Sequence, residues 1–170
     1  MRFGFTLPGC VAIIALLSFI PPKQLIISST AFSDNGFIPA KYSCEGAEVS
    51  PPLHITGIPK GTQSLAIIVH DPDAPKKGGV IHWVVWNIDV SGNIPENFKG
   101  ADQGLNSANK TGYKGMCPPD GTHHYHFVVY ALDTRLHLNT QTNKTGLEGA
   151  IHGHVMAQGE LIGLYKKAKV

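Results

Sequence analysis

Val80-Ile-His-Trp-Val-Val-Trp-Asn-Ile88 is almost continuously apolar and rich in β-branched and aromatic side chains. Nine such residues are too few for an ordinary buried helix and suit a strand covered on both faces. Two further runs have the same character: Ser64-Leu-Ala-Ile-Ile-Val69 and Tyr125-His-Phe-Val-Val-Tyr-Ala-Leu132. Turn chemistry separates them, in Asp71-Pro-Asp-Ala-Pro75, Gly78-Gly79 and Pro118-Pro-Asp-Gly121. The pattern predicts a mainly β fold: an antiparallel two-sheet β-sandwich with a few short helices. Residues 89–115 hold scattered apolar positions among Gly and Asn and read as a long loop, a place where function often sits. Leu147–Gln158 has apolar residues near helical spacing and is predicted as a short helix. Leu161-Ile-Gly-Leu-Tyr165 follows as a closing strand, and Lys166, Lys167 and Lys169 form a solvated tail.

Composition agrees. Nineteen Gly and twelve Pro in 170 residues supply turns for many short strands. The apolar fraction of 42% and charged fraction of 15% exclude a disordered chain. A formal charge of +2 with no basic cluster argues against a nucleic-acid partner. Three Cys are too few for a disulfide scaffold and lack zinc-ribbon spacing.

Arg2, the apolar run Val11–Ile20 and the exit Pro21-Pro22 resemble a secretory signal, so residues 1–24 read as a signal peptide or an N-terminal anchor. The run is short for a membrane span, which takes roughly 20 residues. Leu7-Pro-Gly-Cys10 has the look of a lipoprotein box but precedes the apolar run instead of following it. Ser29-Thr-Ala31 fits a cleavage rule, yet cutting there removes Leu25-Ile-Ile27, which reads as the first strand. Residues 25–170 form the predicted domain, in the periplasm or secreted, with a cytoplasmic or membrane-anchored protein as the alternatives.

Alternation along the third run puts His123, Tyr125, Phe127, Val129 and Ala131 on one face. Along the second run it groups His82 with Val84, Trp86 and Ile88, and sets Trp83 and Trp86 on opposite faces. Pro72 and Pro75 hold Asp71 and Ala74 out of the helical region, so Asp71 sits in a stiff turn at a strand end. If these strands are neighbours, Asp71, His82, His123 and Tyr125 converge. A carboxylate beside a histidine favours imidazolium. His82, His123 and Tyr125 can then donate to a phosphate oxygen, with backbone N–H groups of Gly115-Met-Cys117 adding more. The same residues also read as satisfied core histidines and a turn-forming Asp.

Asp71-Pro-Asp-Ala-Pro75 with His82-Trp83 resembles one signature of the phosphatidylethanolamine-binding protein family, also called Raf-kinase-inhibitor-like proteins. Gly112-Tyr-Lys-Gly-Met-Cys-Pro-Pro-Asp-Gly-Thr-His-His-Tyr125 resembles the second. Tyr42-Ser-Cys-Glu-Gly46, Ser50-Pro-Pro-Leu53, Gly153-His154 and Gly163-Leu-Tyr165 are similar to the bacterial branch. The resemblance runs from about Leu25 to Lys167. It implies a large antiparallel sheet in a sandwich, with a small anion pocket at one end formed by Asp71, His82, His123 and Tyr125. Asp73, Gly115, Cys117 and Pro119 would line or support it. Met116 stands where the family often has Pro, which predicts an altered rim, and His124 stands where the animal motif has Arg.

The expected function is a non-enzymatic binding protein for a phosphate-containing small molecule or lipid headgroup. By resemblance, a protein target such as a kinase or another enzyme could be inhibited, and a homodimer stays open. No cofactor is expected. The alternative is a secreted hydrolase using Cys117, His123 and Asp71. Against it, export favours a Cys44–Cys117 disulfide, free thiols being the other reading. His123-His124-x-His126 and His152-x-His154 suggest metal, but alternation parts the first set and helical spacing the second, so no metal ligand is assigned. Asn109-Lys-Thr111 and Asn143-Lys-Thr145 match a glycosylation pattern by chance.

Overall fold

The computed structural model describes Met1 and residues 23–168. The signal-like segment up to Pro22, with Cys10, and Lys169 of the tail lie outside the described residues. Among the described residues ten strands form two sheets: β1 (Lys23–Gln24), β2 (Ile26–Ser28), β3 (Gly36–Phe37), β4 (Leu53–Thr56), β5 (Ser64–Asp71), β6 (Val80–Ile88), β7 (Asn93–Ile94), β8 (Asp102–Gln103), β9 (His123–Leu132) and β10 (Val155–Tyr165). Helix α1 covers Lys144–Ile151, and a 3-10 turn covers Ala40–Tyr42.

The large sheet runs β1-β10-β9-β5-β6-β8, with β3 also on β10; the small one runs β2-β4-β7. Pairing is antiparallel except where β1 and β3 join β10 in parallel. The sandwich is mainly β, as its three apolar runs predict. Its main core lies between the sheets, where Leu25, Ile27, Leu53, Ile55 and Ile94 meet Leu65, Ile67, Val69, Trp83, Val85, Phe127 and Val129. A second core lies on the other side of the large sheet, where Leu147 and Ile151 of α1 cover Ala66, Ile68, Val84 and Trp86. Strands β5 and β6 are therefore buried on both faces, which is why they are continuously apolar.

Three local readings are corrected. The helix spans Lys144–Ile151 and not Leu147–Gln158. Asn143, within a glycosylation-like triplet, is its N-cap, accepting from the Gly146 N–H at 3.0 Å. Gly153, at φ +83°, turns the chain away, and Val155 already belongs to β10. That strand is eleven residues long, where the sequence predicts Leu161–Tyr165, and Gly159 within it lets the chain cross closely: a Cβ would stand 2.3 Å from the Leu25 carbonyl oxygen. The 89–115 segment is mostly loop but contributes β7 and β8.

The third correction concerns β6. Val69 faces Trp83 and His70 faces Ile81, so His82 is an extra residue in a bulge. A second irregularity falls near Asn87, at φ +58°. Strict alternation is lost, and His82 leaves the face of Val84 and Trp86 for the side of Trp83 and Tyr125. Trp83 and Trp86 do sit in opposite cores. At the N-terminal boundary, Lys23 and Gln24 pair with Ala157 and Gln158, so the 24/25 division falls beside paired strand.

Candidate anion-binding site

Strands β5 and β9 are direct neighbours, as are β5 and β6. Asp71 ends β5, His123 opens β9, and His82 lies near the start of β6, so one end of the large sheet gathers all three. Asp71 Oδ1 accepts the N–H groups of Asp73 (2.9 Å) and Ala74 (3.1 Å), which closes the Asp-Pro-Asp-Ala-Pro turn. Oδ2 lies 2.8 Å from His123 Nδ1. The His123 ring stacks near Tyr125 at 6.4 Å, and Tyr125 meets His82 edge-on at 5.2 Å. The four residues expected to converge are thus adjacent, and all are buried.

His82 is held by the loop before Cys117. Its Nδ1 is 2.9 Å from the Lys114 carbonyl oxygen, and the Lys114 N–H donates to the His82 carbonyl at 2.8 Å. Burial lowers the His82 pKa below its ordinary value; the Lys114 charge acts the same way, while Asp71 opposes it. The lowered pKa favours the neutral imidazole at His82, and the histidine directly beside the Asp71 carboxylate is His123. Burial, with the Asp71 carboxylate beside it, raises the Tyr125 pKa far above that of a free phenol, so the O–H is retained. His82 Nε2 and Tyr125 Oη are buried and have no hydrogen-bond partner among the described residues. Buried polar atoms are rarely left so.

A cavity of about 230 Å³ opens beside this group, lined by Asp71, Ala74, Pro75, Lys76, Val80, His82, Lys114, Cys117 and Pro119. Asp71, His82, Cys117 and Pro119 are among its lining residues, whereas His123 and Tyr125 are not. Gly115 does not line it; a Cβ there would come within 2.7 Å of the Ser43 carbonyl carbon. Asp73 supports the turn from outside, accepting from the His124 backbone N–H at 2.8 Å and lying 2.7 Å from His124 Nδ1. That pairing keeps the Asp73 carboxyl below its usual range. Met116 is not a rim residue: it is fully buried in the main core and its Sδ accepts from the Tyr113 hydroxyl. Lys76 and Lys114 were missed as site residues; the signal that could have found them is their place directly after the Asp71–Pro75 motif and within the Gly112–Tyr125 motif.

Cys117 is joined to Cys44 in a disulfide, with Cα atoms 5.5 Å apart. A disulfide sulfur is no thiolate nucleophile, so the Cys117/His123/Asp71 hydrolase loses its attacking group. Three of the other histidines occupy separate pairs: His124 with Asp73, His126 with Glu160, and His154 with Asp133.

The family model of phosphatidylethanolamine-binding proteins matches residues 28–166. The chain belongs to this family. Among relatives, it is 47% identical to a UPF0098 protein of Pyrococcus horikoshii over 156 residues, covering 85% of this chain and 78% of that one. A UPF0098 protein of Chlamydia trachomatis is 44% identical over 147 residues, covering 83% and 98%. The crystal structure of a phosphatidylethanolamine-binding protein homologue from Chlamydia trachomatis superimposes with a TM-score of 0.82 at 42% identity, covering 86% of this chain and 99% of that one. Escherichia coli YbcL, described as a member of the mammalian family, gives 0.79 at 29% identity, covering 85% and 99%. Membership of a family described by phosphatidylethanolamine binding supports a binding-type function for this chain.

Proposed function

We propose that the chain is a non-enzymatic binding protein that takes a phosphoryl or similar small anionic group in the cavity beside Asp71 and His82. The observation that carries this reading is His82 Nε2, a buried polar atom without a protein partner, in the wall of a cavity with two lysines against one carboxylate. The lysines supply the net positive charge, and Tyr125 keeps its O–H close by. The volume suits a headgroup or a phosphate better than a drug-sized ligand, which takes about 300–1,000 Å³. By family resemblance the anion belongs to a lipid headgroup or to a phosphorylated partner, such as an enzyme that the chain inhibits. Export to an oxidising compartment is part of the proposal, and the Cys44–Cys117 bond supports it.

Titration calorimetry with inorganic phosphate tests the binding. Heat that saturates with the native chain and vanishes in Lys114→Ala and His82→Ala supports it; equal binding by all three proteins contradicts it.

A further inference from the structure

We infer that the cavity selects an anion that still carries an O–H, the singly protonated form of a phosphate monoester, because His82 presents it with a hydrogen-bond acceptor. The inference rests on the anion-binding reading above and narrows its ligand class.

The Lys114 carbonyl can only accept, so His82 Nδ1 at 2.9 Å must carry the proton. A neutral imidazole has one N–H, which leaves Nε2 with a lone pair. The side chain is almost fully buried, lines the cavity, and its Nε2 is unpartnered among the described residues. Among the described residues no neighbour donates to Nε2. Both Asp71 oxygens are engaged, by the Asp73 and Ala74 N–H groups and by His123. Tyr125 lies edge-on to the ring and makes no hydrogen bond to it; the Asp71 carboxylate is the group its hydroxyl feels, and the Lys114 ammonium acts on His82 through its field. Lys76, on the same wall, completes the charged set.

A fully deprotonated oxyanion would point lone pairs at the Nε2 lone pair. An ammonium would meet two lysines. A phosphate monoester in its monoanionic form avoids both conflicts: its P–O–H donates to Nε2, its other oxygens accept from the lysines, and its single charge matches the wall. A phosphodiester, the linkage of an intact phospholipid headgroup, has the charge but no P–O–H. A sulfate ester has the same shape and charge and likewise nothing to donate.

Methyl phosphate, methyl sulfate and dimethyl phosphate separate these cases by titration calorimetry on the full chain. At pH 6 methyl phosphate should bind at least about tenfold more tightly than either, the scale of one buried hydrogen bond made or lost. Its affinity should fall as pH rises above the second phosphate ionisation near 6, approaching about tenfold per unit. His82→Gln, whose amide can turn an N–H to the cavity, should narrow the gap between phosphate and sulfate. Methyl sulfate binding as tightly as methyl phosphate, or tightening in parallel with it as pH falls, overturns the inference while leaving anion binding intact. A gap unchanged in His82→Gln overturns it as well. No binding by any of the three overturns both this inference and the function proposed above.

Discussion

Asp71 and His123 are joined through Oδ2 and Nδ1 at 2.8 Å, and neither is more than a few per cent exposed. The same carboxylate holds its own turn through Oδ1. One buried group thus ties the end of β5 to the start of β9 and fixes the wall from which His82 and the lysines act.

Asp71→Ala should destabilise the fold as well as the site. It leaves His123 Nδ1 and two turn N–H groups without their acceptor, and breaking a buried pair of this kind costs about 3–5 kcal/mol. At roughly 2–4 °C per kcal/mol for a chain of this size, the melting temperature should fall by about 6 °C or more. A fall of under about 2 °C in calorimetry contradicts a structural role for the pair.

The disulfide closes a loop of 73 residues in sequence separation. The chain-entropy relation gives it roughly 4 kcal/mol. Cys44→Ser with Cys117→Ser should lower the denaturant midpoint accordingly, and should also weaken phosphate binding, since Cys117 lines the cavity. Unchanged affinity in the folded double variant would show that the bond supports the fold alone.

Gly115→Ala should distort the loop that carries Lys114 and Cys117. The added methyl would meet the Ser43 and Cys44 backbone at 2.7 and 2.9 Å, and overpacking of this sort costs about 1–3 kcal/mol. The check is a urea titration alongside phosphate binding; full stability and full affinity together contradict the close approach.

Stability should decline as pH falls below 6.5, and His82 should be one cause. Its folded pKa is depressed by burial, so the unfolded chain binds a proton in this range that the folded chain does not. The native state loses ground on acidification, by at most about 1.4 kcal/mol per pH unit from this one group. His82→Gln should flatten the profile between pH 6.5 and 5; identical profiles contradict the neutral, buried histidine. Asp73 acts lower: with its pKa below 3.8, its small contribution persists above that value and is lost as pH falls through the folded pKa. It is well exposed, so the amount is at most about 1 kcal/mol.

The strands carrying Asp71, His82, His123 and Tyr125 were legible because a strand buried on both faces leaves an unbroken apolar run, and turn residues mark its ends. The family motifs supplied the convergence that periodicity only allowed. What stayed hidden has physical causes. The bulge at His82 shifts phase without any mark in composition. Gly159 carries no mark of its role, which is to let the Leu25 backbone cross β10 closely. Met116 looks like a pocket substitution until its sulfur is seen to accept from Tyr113 in the core. The protonation state of His82 depends on the Lys114 carbonyl, a backbone atom with no sequence signal.

The central claim, that this cavity holds a phosphoryl anion, is tested most directly by a crystal structure determined with methyl phosphate at pH 6. The account predicts phosphorus density in the cavity, with one phosphate oxygen within hydrogen-bonding distance of His82 Nε2 and others facing Lys76 and Lys114. An empty cavity under saturating ligand, or phosphate bound only elsewhere on the surface, would contradict it.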